Sequence, residues 1–208
     1  MPDPNPEKTV PLFIFDFESD DIKEFFDESP DRGLAISLPA ILDNRLTSIL
    51  KVTMRGDEKL FNELFQPSGP LGNFKTKINL VYMLGIVDKE FYQDLLAICK
   101  IRNYFAHRLA IKTLEQHPIS AWIKGMEIYR VTVASVHKLV RSNPEFAKTW
   151  NSMMKLETQT MRDSFRICIR FMILRLNEAE LVVKSKREQV SDQIQKDVKK
   201  RSTLDKPL

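Results

Sequence analysis

The most regular apolar pattern of the chain is MRDSFRICIRFMILRLNEAELVV, residues 161–183. Its large apolar positions follow one another at spacings of 4, 3, 4, 4, 3 and 4, and they are Met161, Phe165, Cys168, Met172, Leu176, Ala179 and Val183. Because an α-helix makes one turn in ~3.6 residues, this spacing places all of them on one face. We therefore predict a long amphipathic helix from about residue 156 to about residue 186, with its apolar face packed against other elements.

Similar periodicity recurs upstream, where further helices are predicted. One runs from about residue 31 to residue 54 and contains Pro39, and three others have Asp57, Asn73 and Asp88 as N-cap residues. The chain holds 6 Gly and 11 Pro among 208 residues, and no clear alternating strand pattern follows residue 20. These features predict an all-α fold, organised as a single multi-helix bundle.

Charge is unevenly distributed along the chain. Residues 1–33 hold ten acidic and three basic side chains, whereas residues 184–208 hold eight basic and four acidic ones. We predict a short extended N-terminal arm at residues 1–19, a helical domain at residues 20–186, and a basic tail at residues 187–208 that is frayed or disordered. The tail has no aromatic side chain, so any nucleic-acid contact there would be made to phosphates and not to bases.

Several common function classes lack their signature in this sequence. The chain contains no GxGxxG or GxxxxGK[ST] loop, no HExxH or CxxC pair, no GxSxG turn and no clear helix-turn-helix unit. With 3 His and 2 Cys scattered along the chain, no metal and no cofactor are expected. No apolar run reaches the roughly 18 residues that span a bilayer, and no secretory signal is recognised, so we expect a cytoplasmic protein with Cys99 and Cys168 as buried free thiols.

The first candidate site is the segment RNYFAH, residues 102–107. On a helix, Asn103 and His107 lie about 40° apart on one face, and Arg102 is aligned with positions that should face the core. One interpretation is structural, with Arg102 paired inside the protein and His107 capping the helix C-terminus. The other is a polar site, in which Asn103 and His107 position a phosphate, Arg102 stabilises its charge, and His107 moves protons during metal-independent RNA cleavage.

A second candidate is the set of three arginines Arg162, Arg166 and Arg170, spaced at i, i+4 and i+8 on the last long helix. This spacing places them on one side of the helix. They can form a solvent-exposed face with ion pairs, a subunit contact, or a stripe that binds anions. The pattern by itself leaves these three alternatives open.

A third candidate is the segment GPLGN, residues 69–73, which includes Gly69, Pro70, Gly72 and Asn73. Glycine and proline at this density predict a tight turn between helices. Because the turn leads into a helix N-terminus, its backbone amides can alternatively hold an anion.

The run GPLGNFKTKINLVYMLGIVDKEFYQDLLAICKIRNYFAH, residues 69–107, resembles the mannitol operon repressor (MltR-type) family. Residues 29–33 and 42–43 resemble the first long helix of that family, so the resemblance covers about residues 23–110. It implies an all-helical, cytoplasmic bacterial regulator of sugar-operon transcription. Members of the family are thought to act through a partner protein, either the transcription machinery or another regulator, and not through a standard DNA-reading motif. The resemblance therefore favours a non-enzymatic function.

Residues 102–107 are also similar to the short Arg…His motif of HEPN domains. Those domains are helical bundles, often dimeric, and many are metal-independent ribonucleases of toxin or defence systems. This second resemblance implies the alternative function, in which Arg102 stabilises charge, Asn103 orients the substrate and His107 acts as acid or base. Both resemblances, together with the Met- and Ile-rich surface of the last helix, favour a homodimer.

Overall fold

The computed structural model describes residues 29–133, 135, 138, 141–145, 148 and 160–204. In these residues the chain is helical and forms no strand, which confirms the predicted all-α fold. The elements are α1 (Asp31–Thr53), α2 (Glu58–Phe65), α3 (Phe74–Met83), α4 (Lys89–His107), α5 (Ile119–Gly125), a π-helical segment (Tyr129–Val133) and α6 (Met161–Leu204). The predicted N-terminal arm lies outside the described residues, and the division into arm, domain and tail stays a prediction.

Three helices begin where the sequence places their caps. The side chains of Asp57, Asn73 and Asp88 each accept a hydrogen bond of 2.8 Å from a backbone amide in the first turn of α2, α3 and α4. Helix α3 ends as predicted near Gly85, whose φ of 66° is the left-handed conformation that glycine adopts without strain. The amides of Gly85 and Ile86 then donate to carbonyls of the last turn, which completes a Schellman motif.

The hydrophobic core lies where α1, α4 and α6 meet. Helix α1 packs most extensively against α6 and also contacts α3 and α4. Leu42 on α1, Ile98 on α4 and Phe165 on α6 are fully buried in this core. One ion pair joins α1 to α3, with Lys77 Nζ 2.8 Å from Asp43 Oδ1 and the Lys77 side chain almost fully buried. The bundle therefore combines a continuous apolar core with a few specific polar contacts.

Helix α6 extends beyond the C-terminal end that the sequence predicts. It begins at Met161, where Thr160 and Asp163 exchange hydrogen bonds in a reciprocal capping box, and the predicted start near residue 156 lies outside the described residues. Residues 187–204, predicted as a frayed or disordered tail, continue the helix to Leu204. The prediction followed the apolar stripe, which ends at residue 183, but the Lys, Arg, Glu and Gln residues beyond it are good helix formers.

Asp31, the first residue of α1, joins three distant parts of the chain. Its Oδ2 accepts a 2.8 Å hydrogen bond from the amide of Leu114, in the segment between α4 and α5. Its Oδ1 forms a 2.8 Å ion pair with Nη1 of Arg162 at the start of α6, while Nη2 of Arg162 donates to the carbonyl of Ser29. These contacts fix the N-terminal ends of α1 and α6 to each other.

Arg32, the next residue, caps the C-terminal end of α4. Its guanidinium donates to the carbonyl oxygens of Phe105, of Arg108 at 2.7 Å and of Ile111 at 2.9 Å. Carbonyls at a helix C-terminus lack partners within the helix and carry the negative end of its dipole, so a cation there is doubly favourable. We call the contacts of Asp31 and Arg32 together the α1 junction.

Replacing Arg32 with methionine keeps an unbranched side chain but removes the guanidinium donors from the carbonyls of Phe105, Arg108 and Ile111. Because hydrogen bonds to a charged group contribute about 1.5–3 kcal/mol each and their acceptors would lose this partner, we expect the free energy of unfolding to fall by about 2–3 kcal/mol. Urea unfolding followed by circular dichroism measures the change. The matched control, Arg55→Met at an exposed arginine, should change it by less than about 0.5 kcal/mol. Equal effects of the two substitutions would contradict the capping role.

A cationic and aromatic groove as the candidate functional site

An open groove of about 680 Å³ runs along α4 between α3 and α5. It is lined by Lys75, Leu96, Cys99, Lys100, Asn103, Tyr104, His107, Arg108 and Trp122. Most of these residues come from α4, on which Lys100 and Tyr104 are four residues apart and therefore share a face. Arg108, the C-cap residue of α4, follows four residues after Tyr104. Helix α5 contributes Trp122 to the opposite wall. We refer to this feature as the groove.

The groove holds two aromatic rings, each with a cation over its face. Lys100 Nζ lies 3.9 Å from the centroid of the Trp122 ring, and the guanidinium carbon of Arg108 lies 4.5 Å from that of Tyr104. The two rings meet edge to face, with centroids 5.2 Å apart and planes at 87°. Cation–π and edge-to-face contacts of this kind restrain both the rings and the long basic side chains. The surface is thus ordered before any partner binds.

The charge of the groove is of one sign. Lys75, Lys100 and Arg108 are exposed cations, His107 is exposed beside them, and no Asp or Glu is among the lining residues. A concave surface lined by like charges concentrates anions near it and speeds their association. The groove is therefore suited to an anionic ligand or to an acidic segment of a protein.

The structure brings together two of the three residues of the first candidate site. Asn103 and His107 line the groove, whereas Arg102 is on the neighbouring face, with its guanidinium carbon 6.0 Å from the centroid of the Phe74 ring. Arg102 is half-buried and does not line the groove. Arg32 bonds the carbonyls of Phe105 and Arg108 at the end of α4, and the capping role of His107 stays a prediction.

The two cysteines are free and buried, as predicted. Burial raises the pKa of Cys99 at the floor of the groove, while nearby Arg102 acts in the opposite direction. Burial also raises the pKa of Cys168 in the core. Both side chains are therefore neutral thiols at pH 7, and Cys99 is not poised as a nucleophile. Among the described residues, no group of three or more His, Cys, Asp or Glu side chains is placed to bind a metal ion.

The three arginines of α6 do not form a solvent-exposed face. Arg162 belongs to the α1 junction through its ion pair with Asp31. Arg166 is buried, with 9% of its surface exposed, and Arg170 is half-buried. Each of the three has further interactions within the protein. A role for them in binding a subunit or an anion stays a prediction.

The segment 69–73 connects α2 to α3 through close backbone contacts. The amide of Gly69 donates to Gln66 and that of Gly72 donates to Gly69, at 2.8 and 3.0 Å. A Cβ atom at either glycine would overlap a backbone carbonyl of the preceding segment, so only glycine fits at both positions. Asn73 accepts hydrogen bonds from the backbone amides of Lys75 and Thr76. These two amides are the donors that would otherwise be available to bind an anion.

Asp94 fixes the position of α5 relative to α4. Its two carboxylate oxygens accept hydrogen bonds of 2.8 Å from the amides of Glu127 and Ile128, just after α5. Burial raises the pKa of Asp94 above its ordinary value of 3.8, although the two amide donors act in the opposite direction. Because the segment so anchored follows directly on the helix of Trp122, this carboxylate helps to hold the second wall of the groove.

Sequence reasoning missed Lys100, Arg108 and Trp122 as site residues. The spacing Lys100, Tyr104, Arg108 is visible in the sequence as a cation, a ring and a cation on one helix face. Trp122 comes from another helix after an irregular segment, and no local pattern links it to α4. The role of Arg32 could not be predicted from the sequence either. Its acceptors are backbone carbonyls, which every residue has, so no residue type marks them.

Fold and site together define an all-α bundle protein with an open binding groove. In the described part of the chain, no helix combines the length and the apolar character needed to cross a membrane. The chain belongs to the mannitol repressor family, whose model matches residues 18–185. No curated protein sequence matches the chain.

Two solved structures are similar to this chain. The X-ray structure of the MtlR–HPr complex from Escherichia coli matches with a TM-score of 0.54 at 15% sequence identity, over 74% of this chain and 94% of the matched chain. The crystal structure of a possible transcriptional regulator, YggD from Shigella flexneri 2a str. 2457T, matches with a TM-score of 0.56 at 15% identity, over 76% and 96%. At this identity the likeness shows a shared fold.

Asp94 should give the stability of the protein a measurable pH dependence. Because its pKa is raised in the folded state, the folded protein binds more protons than the unfolded chain, so its contribution to the free energy of unfolding decreases as pH rises from about 4 through the raised pKa. We expect the free energy of unfolding of wild type, relative to Asp94→Asn, to decrease over that range. Urea titrations of both proteins at pH 3.5 to 7 measure this difference in the free energy of unfolding. If wild type gained stability relative to Asp94→Asn as the pH rose, the raised pKa would be contradicted.

Proposed function

We propose that this protein is a cytoplasmic, MltR-like transcriptional regulator that acts mainly by binding another protein, with the groove as the contact surface. Membership of the mannitol repressor family supports a role in regulating transcription. One protein of similar fold was solved as a complex with the protein HPr, and another is described as a possible transcriptional regulator. The partner is either HPr-like, a component of the transcription machinery, or another regulator.

The single observation that carries this proposal is the ordered arrangement of cations and rings in the groove. Trp, Tyr and Arg are the side chains that contribute most often to binding energy at protein interfaces. Here Trp122, Tyr104 and Arg108 lie side by side, and each ring is already restrained by a cation. Restraint before binding lowers the entropic cost of forming a complex.

The same proposal includes a homodimer, formed through α6. Beyond Lys186, the helix exposes Val190 and Ile194, which retain 59% and 50% of their accessible surface. These two residues are four apart and therefore share one face of the helix. An exposed apolar stripe of this kind is typical of helix pairing between chains.

Partner binding should depend on the groove. We expect HPr from the source organism to bind the full chain, and Trp122→Ala and Arg108→Glu to weaken binding at least tenfold, which is about 1.4 kcal/mol, because each removes a central contact. Isothermal titration measures both affinities, with circular dichroism confirming that the variants fold. The matched control is Lys59→Glu, a charge reversal at an exposed lysine outside the groove.

The same proteins should be compared for DNA binding by gel shift on the operator region next to the gene. We expect a shift only when the partner protein is present. Tight, sequence-specific binding by the chain alone would contradict the partner-dependent mechanism. Unchanged partner affinity in both groove variants would contradict the groove as the contact surface.

A metal-independent ribonuclease is the second candidate function, favoured by one observation. His107, a possible acid or base, lies in the groove with Asn103 and next to Arg108. Arg102 lies outside the groove, so stabilising the charge of a cleaved phosphate would be a role for Arg108 or Lys100. This differs from the assignment that the HEPN resemblance implies.

This candidate predicts that the full chain cleaves RNA in EDTA and that His107→Ala lowers the rate at least about a hundredfold, the usual size of a lost acid–base group. The Arg102→Ala variant should cleave RNA at the wild-type rate, because Arg102 lies outside the groove. Gel analysis of labelled RNA measures all three. Equal rates for wild type and His107→Ala, or no cleavage by any of them, would remove the ribonuclease from consideration.

A further inference from the structure

The chain that precedes α1 starts next to the groove. Arg32 at the beginning of α1 bonds the carbonyls of Phe105 and Arg108, and the side chain of Arg108 lines the groove. The carbonyl of Ser29 accepts a hydrogen bond from Arg162 at the start of α6. Because Ser29 is three residues before Arg32, the chain N-terminal to residue 29 begins in the neighbourhood of the end of α4, which is one end of the groove.

The composition of that preceding chain is complementary to the groove. Residues 12–28, LFIFDFESDDIKEFFDE, hold seven acidic side chains, one basic side chain and five phenylalanines. We call them the acidic segment. The groove offers three exposed cations beside Tyr104 and Trp122, and it has no acidic lining residue. Carboxylates and phenyl rings are the groups that such a surface attracts, through its charge and its aromatic walls.

The acidic segment is also long enough to reach along the groove. Lys100 on α4 and Arg108, the residue that follows α4, are eight residues apart, which is about 12 Å along the helix axis. An extended chain advances ~3.3 Å per residue, so ten residues before Ser29 can cover about 33 Å. A short tether raises the local concentration of the segment to the millimolar range, which makes weak individual contacts sufficient for occupancy.

We propose that the acidic segment binds in the groove of its own chain. Its carboxylates pair with Lys75, Lys100 and Arg108, and its phenylalanines pack on Tyr104 and Trp122. The segment then competes with any acidic partner for the same surface, a regulatory consequence that rests on the proposed function. The occupancy of the groove by the segment is independent of that function.

Zero-length carbodiimide crosslinking of the full chain tests the contact directly. The reagent joins a carboxylate to an amine only when the two touch, and mass spectrometry identifies the residues. We expect crosslinks from residues 16–28 to Lys75 and Lys100 at low salt, with at least a threefold lower yield in 1 M NaCl because exposed ion pairs are screened. Crosslinks of these carboxylates only to other lysines, or no crosslink at Lys75 and Lys100, would overturn the proposal.

Matched variants distinguish a true contact between the acidic segment and the groove from nonspecific crosslinking of exposed lysines. Lys100→Arg keeps the charge and removes the amine, so the crosslink to Lys75 should remain while that to Lys100 disappears. Neutralising the segment with Asp16→Asn, Glu18→Gln, Asp20→Asn and Asp21→Asn should raise the acylation rate of Lys100 at least threefold and leave that of Lys59 unchanged. An unchanged acylation rate of Lys100 would count against occupancy of the groove, whether or not the protein binds HPr.

Mixing light and ¹⁵N-labelled chains distinguishes one chain from two. Light scattering on the same samples gives the number of chains in the particle. We expect crosslinked peptides to be either both light or both labelled, at every protein concentration. Mixed light and labelled pairs would show that the segment binds the groove of a second copy, which would overturn the proposal for a single chain.

Discussion

The carbonyl oxygens at the end of α4 need donors, and Arg32 supplies them from the start of another helix. The preceding residue, Asp31, binds the amide of Leu114 and the guanidinium of Arg162. Two consecutive side chains thus connect α1, the segment after α4, and α6. Apolar packing makes the bundle compact, but these directional contacts determine which helix ends meet. The position of the groove depends on them, because the end of α4 is one end of the groove.

The groove itself is built from weak contacts that support one another. Lys100 restrains Trp122, Arg108 restrains Tyr104, and the two rings restrain each other. Asp94 holds the segment after α5 and thereby the wall that carries Trp122. An exposed cation held in this way loses less conformational entropy on binding than a free lysine or arginine does. The surface is therefore ordered before recognition, and the Cys99 thiol that lines it is neutral because burial raises its pKa.

Local sequence patterns predicted the elements well and their mutual arrangement poorly. The caps at Asp57, Asn73 and Asp88 are visible because a helix start depends on residues close in the sequence. Two of the nine residues that line the groove, Asn103 and His107, were visible for the same reason, since they share one face of α4. Trp122 and Arg32 were not, because their partners are distant in sequence and, for Arg32, are backbone atoms.

The length of α6 was underestimated for a related reason. Apolar periodicity reports burial, and it ends at residue 183 because the helix beyond has little to pack against. Helical propensity continues, and contacts such as the ion pair of Glu180 with Lys184 and the bond from Arg187 to the carbonyl of Val52 add local support. The burial of Arg166 is likewise not visible in the local spacing, because it depends on the helices that pack around α6.

The packing of α1 against α6 has a consequence for how the protein is made. The ribosome produces α1 well before α6, yet the widest contact surface of α1 is with α6. At about 5–20 residues per second, the 131 residues between Asp31 and Arg162 take roughly 7 to 26 s to be translated. During that time α3 and α4 can pack on α1, but the face of α1 that contacts α6 lacks its partner.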